Sequence, residues 1–204
     1  MESRLLGWPA AGPTLRLDYR RYAYAGKFVM SSTGKAVLVP DGWDGREGRS
    51  GRADPTDPTD ADASMRTDVF AGVAFDEDRT DPGTVRLRYV TVRDDKRGEG
   101  LGPRLCAFVC ERTAERGYDR IGIAVNNPYS YEALHRAGFG FTGEETGLAE
   151  LVLERPTGAP ATSDPERYRA GLDAFARRGE LTDAERTFIR EKRARGPPEP
   201  TAVE

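Results

Sequence analysis

Val85 to Gly102 reads VRLRYVTVRDDKRGEGLG, and the fold follows from that stretch. A run of β-branched and aromatic residues ends in charge and glycine, and an amphipathic helix begins at once. Leu101, Leu105, Phe108 and Val109 share one face of that helix, and Arg104, Glu111, Arg112 and Glu115 the other. Arg97, Gly98, Gly100 and Gly102 therefore lie in a strand-to-helix turn. The first amides of a helix have no intrahelical acceptor and sit at the positive end of its dipole, so such a turn favours an anion, phosphate above all. Glycine lets the ligand approach the main chain with no Cβ in the way.

Outward from this turn the pattern is mixed α/β. Leu15–Tyr19 alternates as a first strand after a loose lead-in over residues 1–13, and 20–30 suits either a short helix or an irregular strand. Ser31–Gly34 is a turn, followed by a strand from Lys35 to Pro40. Asp41–Asp68, with its near-repeat DPTDPTDAD, is too polar to bury much surface and reads as a mobile acidic loop. Val69–Phe75 is the next strand. Beyond the central helix, Gly117 stops the chain, Arg120–Val125 is a short strand, and Asn127 with Pro128 starts a second helix. Phe139–Phe141 and Leu148–Leu153 close the sheet. Past Pro156, capping boxes at Ser163/Glu166 and Thr182/Glu185 open two helices, a hairpin with a disordered tail from about Gly196. The expected organisation is one domain over 1–156 with a helical hairpin and tail over 157–204.

Composition narrows the function. A net charge of −3 across 204 residues gives no field for nucleic acid or an anionic membrane. No apolar run approaches the ~20 residues a bilayer span needs. A soluble, cytoplasmic protein is expected. Cys106 and Cys110 have no histidine nearby in sequence and read as buried apolar residues, so no metal is expected. Ser32-Thr33-Gly34-Lys35 fails as a phosphate-binding P-loop, because the earlier glycine is missing and Ala36 stands where a metal-binding hydroxyl belongs. A dinucleotide fingerprint fails too, since Pro103 occupies the place of its third glycine.

Arg97-Gly98-Glu99-Gly100-Leu101-Gly102 resembles the acyl-CoA signature of the GNAT N-acetyltransferase superfamily. Thirty residues on, the run from Asn127 to Gly138-Phe139 looks like its second signature, and the likeness covers roughly Val69–Glu154. It implies a central, mostly antiparallel sheet splayed at the acyl-CoA site. It also implies acetyl-CoA as co-substrate, held by Arg97 and the amides of Gly98, Glu99, Gly100, Leu101 and Gly102. Backbone groups of Val90 and Val92 would pair with the pantetheine arm, and Asn127 would contact it. The implied reaction is direct attack of a primary amine, of a small molecule or a protein, on the thioester. The tyrosine the family often places four residues before Gly-Phe is here Leu134, leaving Tyr131, His135 or water as proton donor. No carboxylate stands on Val85–Val92 as base. Asp76 or Glu77 could act through a water relay, and Arg86 and Arg88 could select an acidic substrate. The alternative is an acyl-CoA-binding module without turnover, and the hairpin offers a contact for a homodimer.

Overall fold

The computed structural model describes residues 1–45, 65–159 and 163–201. Seven strands form one mostly antiparallel sheet: β1 (Glu2–Gly7), β2 (Gly34–Val39), β3 (Ala71–Glu77), β4 (Thr84–Val92), β5 (Arg120–Val125), β6 (Gly140–Glu145) and β7 (Leu151–Pro156). Their order in the sheet is β1-β2-β3-β4-β5-β7-β6. Among the described residues there are four α-helices: α1 (Leu101–Ala114), α2 (Pro128–Arg136), α3 (Pro165–Ala176) and α4 (Asp183–Arg195). The chain divides into two compact units, one of Met1–Glu77 with Leu87–Leu105, the other of Asp78–Arg86 with Cys106–Glu204.

In the first unit β1 runs antiparallel to β2, from Glu2 opposite Val39 to Gly7 opposite Lys35, and β2 antiparallel to β3. Residues 1–13 thus contain an edge strand where the sequence suggested a loose lead-in. Among the described residues Leu15–Tyr19 forms no strand: its one ladder contact there is an isolated bridge from Leu17 to Arg66. Leu15 and Leu17 are buried beside Tyr22, Phe28, Val37 and Val39, so their alternation serves the core and not a ladder. Lys35 is fully buried on β2, and its ammonium donates to the carbonyls of Met30 (2.5 Å) and Thr33 (3.0 Å) and to Thr33 Oγ1 (3.0 Å). Burial depresses its pKa, and the donor set shows a clamp on the preceding turn and no phosphate loop. Of the loop expected over 41–68, residues 46–64 lie outside the described residues. Its flanks are fixed: Trp43 is buried and donates to Asp68 (2.5 Å), while Arg66 bonds Asp68 and the Gly45 carbonyl.

In the second unit the start of β4 pairs in parallel with β5, Thr84 opposite Arg120 through Arg86 opposite Gly122. β7 then lies antiparallel to β5 and to β6. Gly117, at φ 80°, ends the turn after α1. Asn127 caps α2 through Ser130 N, with Pro128 in the first turn. Thr182 and Glu185 form the expected capping box of α4, but α3 is capped by Asp164, one residue after Ser163. Pro165 fixes the first helical φ there, so the preceding residue must take the extended cap conformation. Residues 196–201 are described; Gly196 is buried and Thr201 N donates to the Arg136 carbonyl, so the tail expected to be disordered is placed as far as Thr201.

The helical hairpin docks on α2. Tyr168, Leu172 and Phe175 of α3 are fully buried, and each such side chain contributes roughly 1.5–3 kcal/mol by leaving water. Tyr131 stacks on Tyr168 at 5.8 Å and meets Phe175 edge-on at 5.6 Å. α3 can come this close only because position 171 is glycine: a Cβ there would lie 2.1 Å from the Tyr131 hydroxyl. Gly171→Ala should therefore lower stability by about 1–3 kcal/mol through overpacking, read from urea unfolding.

Candidate functional site

The strand–turn–helix element is built as its residues require. Gly98 and Gly100 have φ of 84° and 78°, and a Cβ at either would meet nothing within 4 Å, so the chain turns there beside open space. The N–H groups of Gly98, Glu99, Gly100, Leu101 and Gly102 meet no acceptor among the described residues, and the first closing bond runs from Arg104 N to the Gly100 carbonyl (3.1 Å). Pro103 brings no N–H. These donors converge on the N-terminus of a fourteen-residue helix. The Arg97 guanidinium lies alongside, bonded to Asp94 at 2.6 Å, and Lys96 pairs with Glu99 at 3.2 Å.

Val90 and Val92 stand half-buried on one face of β4, and a Cβ on Gly102 would lie 3.9 Å and 3.5 Å from their methyl groups. The strand and the glycine turn thus pack directly on each other. The ladder with β5 holds three pairs ending at Arg86, whereas β4 runs on to Val92.

The charged residues of β4 are neutralised. Arg88 binds Asp76 at 2.6 Å, and Arg86 binds Asp78 at 2.7 Å and Glu154 at 3.1 Å. The hydrogen bonds from Arg86 and then Thr80 hold the Asp78 carboxyl far below the usual carboxylate range. Arg86 crosses Gly122, where a Cβ would sit 2.2 Å from its Nη1. Both arginines thus carry intramolecular ion pairs, and Asp76, considered as a relay base, is engaged by Arg88.

In the second unit the Asn127 side chain accepts from Ser130 N at 2.8 Å and donates Nδ2 to Asn126 Oδ1 at 3.1 Å. Its second Nδ2 hydrogen meets no acceptor among the described residues. Tyr131 and His135, considered as proton donors, are sealed beneath α3. The Tyr131 hydroxyl donates to the carbonyls of Arg167 (3.2 Å) and Tyr168 (3.1 Å), and burial raises its pKa far above that of a free phenol. His135 is 3% exposed, its ring 4.5 Å from Tyr131 and 4.8 Å from Tyr168. Its Nε2 is buried without a partner, and burial pulls its pKa down to about 4 against the opposing pull of Glu132 and Asp164. Leu134 is buried as well. The sequence shows that the hairpin face of Tyr168, Leu172 and Phe175 needs an apolar partner, but not that Tyr131 and His135, four apart on α2, supply it.

Cys106 and Cys110 are buried free thiols, and burial pushes Cys106 up to about 12. Among the described residues no group of histidine, cysteine and carboxylate side chains could hold a metal, and no helix is long and apolar enough to cross a membrane.

Within the mixed α/β sheet the glycine turn sets main-chain donors at a helix N-terminus, the local chemistry that suits an anion. Residues 57–141 match the sequence profile of the Acetyltransferase (GNAT) family. Solved structures similar to the chain include an N-acetyltransferase from Staphylococcus aureus Mu50, 14% identical, covering 61% of this chain and 68% of that one at a TM-score of 0.43. A Bacillus subtilis acetyltransferase in complex with CoA is 15% identical, with coverage of 61% and 76% and a TM-score of 0.41. The ribosomal-protein-S18-alanine N-acetyltransferase of Escherichia coli is 13% identical, with coverage of 63% and 71% and a TM-score of 0.40. No curated protein sequence matches the chain.

The buried imidazole sets a pH dependence of stability. His135 stays neutral in the folded chain down to about pH 4, whereas an unfolded histidine takes up its proton near 6.5. Between those values the unfolded state binds the extra proton, so stability falls as pH falls, by about 3 kcal/mol at most. Urea unfolding of wild type and His135→Gln from pH 7.5 to 4 should show a difference that shrinks toward acid, because the variant lacks this penalty.

Proposed function

We propose that the chain is an acyl-CoA-dependent N-acyltransferase that transfers acetyl from acetyl-CoA to a primary amine. The observation that carries this reading is the row of unengaged amides from Gly98 to Gly102, packed against the β4 strand at Val90 and Val92. A diphosphate fits that chemistry: several N–H donors, the helix dipole, and Arg97 free to exchange its exposed Asp94 partner for phosphate. The β4 main chain beyond its three-pair ladder offers hydrogen-bonding groups to an amide-bearing arm such as pantetheine.

The reaction is one step of bond exchange. The lone pair of a neutral amine attacks the thioester carbonyl, the C–N bond forms, and the C–S bond breaks. The ammonium proton leaves and the thiolate takes one up. A main-chain N–H near Val92 polarises the carbonyl as its oxygen gains charge. The Tyr131 hydroxyl is committed to two main-chain carbonyls and His135 is neutral and enclosed, so water supplies the proton to the thiolate. The acceptor is a small-molecule or protein amine.

The same enclosure of Tyr131 and His135 favours a second reading, a module that binds acyl-CoA without turnover. Calorimetric titration with acetyl-CoA, followed by detection of free thiol over a panel of primary amines, separates the two. Binding in the micromolar range with thiol release is expected, and absence of binding by the wild type overturns both readings. Gly100→Glu places a carboxylate in the donor row at a left-handed φ and should weaken acetyl-CoA binding at least about thirtyfold. Tyr131→Phe should keep turnover within about threefold while losing about 1 kcal/mol of stability; a collapse of turnover with the fold intact would restore the tyrosine as proton donor.

A further inference from the structure

The hairpin of α3 and α4 lies outside the segment that matches the family profile, and between its helices runs an open groove of about 610 Å³. Arg169 of α3 and Arg186, Arg190 and Arg193 of α4 line it, all four exposed. Its floor is apolar, with Ile189 buried and Leu181 half-buried. The whole groove belongs to one compact unit.

Little inside the hairpin holds these cations. Arg193 pairs with Asp173 at 2.8 Å, and Arg190 reaches Thr187 Oγ1 at 3.5 Å. The side chains of Arg169 and Arg186 meet no acceptor among the described residues. Nor does the stability of α4 call for them. Arg186, Arg190 and Arg193 follow one another at four and three residues and so stand in one row, where like charges disfavour the helix that carries them. The helix dipole accounts for Arg193 in the last turn, but Arg186 stands in the first turn, at the positive end. An anion in the groove removes the repulsion and gives each planar fork a partner.

The geometry of the row selects the anion. Arg186 and Arg190, one turn apart, are separated by about 6 Å along the axis. An extended peptide sets alternate side chains about 7 Å apart on one side, so acidic residues two apart match that step. Aliphatic residues between them match the floor of Leu181 and Ile189. Among the described residues no aromatic ring lines the groove as a platform for a nucleic-acid base. The net charge of −3 opposes a long polyphosphate, whereas a few carboxylates within about 8 Å of the guanidiniums feel chiefly those cations.

We propose that the α3–α4 groove is a docking site for an acidic peptide segment of a partner protein. Arg169, Arg186 and Arg190 hold its carboxylates, and the floor takes its aliphatic side chains. This site lies apart from acyl transfer and does not depend on it.

The test is fluorescence anisotropy of the full chain with a labelled peptide of alternating glutamate and leucine. Micromolar binding is expected, weakening at least about fivefold between about 0.05 M and about 0.5 M salt and lost when the glutamates become glutamines. Arg169→Ala and Arg186→Ala should each weaken it about fivefold with the thermal unfolding midpoint unchanged, and Arg190→Glu should abolish it. Arg186→Lys keeps the charge without the planar fork and should fall between wild type and Arg186→Ala. Arg177 is exposed on the same hairpin but outside the groove, and Arg177→Ala should bind as the wild type does. The inference is overturned if the peptide does not bind, or if Arg177→Ala weakens binding as much as Arg186→Ala. It is overturned equally if a single-stranded RNA oligonucleotide displaces the peptide at lower concentration than the unlabelled peptide does.

Discussion

Main-chain donors with nothing to bond are tolerated only where water or a ligand can reach them, and the turn from Gly98 to Gly102 is built around that constraint. Gly98 and Gly100 take left-handed dihedrals that would cost another residue about 1–2 kcal/mol each. At Gly102 a Cβ would make only ordinary contact with Val90 and Val92, at 3.9 Å and 3.5 Å. Pro103, in the first turn, gives up an N–H that the helix could not have satisfied. Gly98 and Gly100 thus turn the chain beside open space, where the donors stay exposed.

The second unit shows the opposite treatment of polar groups. Glu132 is buried on α2 and accepts from the Tyr168 hydroxyl and from Lys192 Nζ at 2.6 Å, so α3 and α4 each supply a donor to one carboxylate. A buried charge left alone would be costly, and the paired one ties three helices together in a fixed register. Tyr131 and His135 belong to this packing. Their aromatic surface is covered by α3, and the His135 Nε2 is buried in that layer without a partner.

Much of this was legible in the chain. Strands β2 to β5, helices α1, α2 and α4, and the caps at Asn127 and Thr182 follow from hydrophobic period and start signals. β1 was not legible: Glu2–Gly7 is a six-residue edge strand whose pairings run from Glu2 with Val39 to Gly7 with Lys35, far along the chain, and so short a run carries little periodic signal. Leu15–Tyr19 misled for the converse reason, since alternation marks one buried face and cannot say whether a neighbouring strand exists. Trp43, Arg66 and Asp68 sit in polar sequence, yet they close on one another because an indole N–H and a guanidinium found the same carboxylate.

The sequence by itself determined the glycine turn, the helix that follows it and the Asn127 cap, because each is a local matter of φ, missing Cβ atoms and hydrogen bonds within a few residues. Tertiary structure alone decided the standing of Tyr131, His135, Arg86 and Arg88. Whether a phenol faces solvent or two main-chain carbonyls, and whether an arginine is free or paired, depends on which distant segment packs over it. That is settled by burial and charge between residues far apart in the chain, and no local pattern contains it.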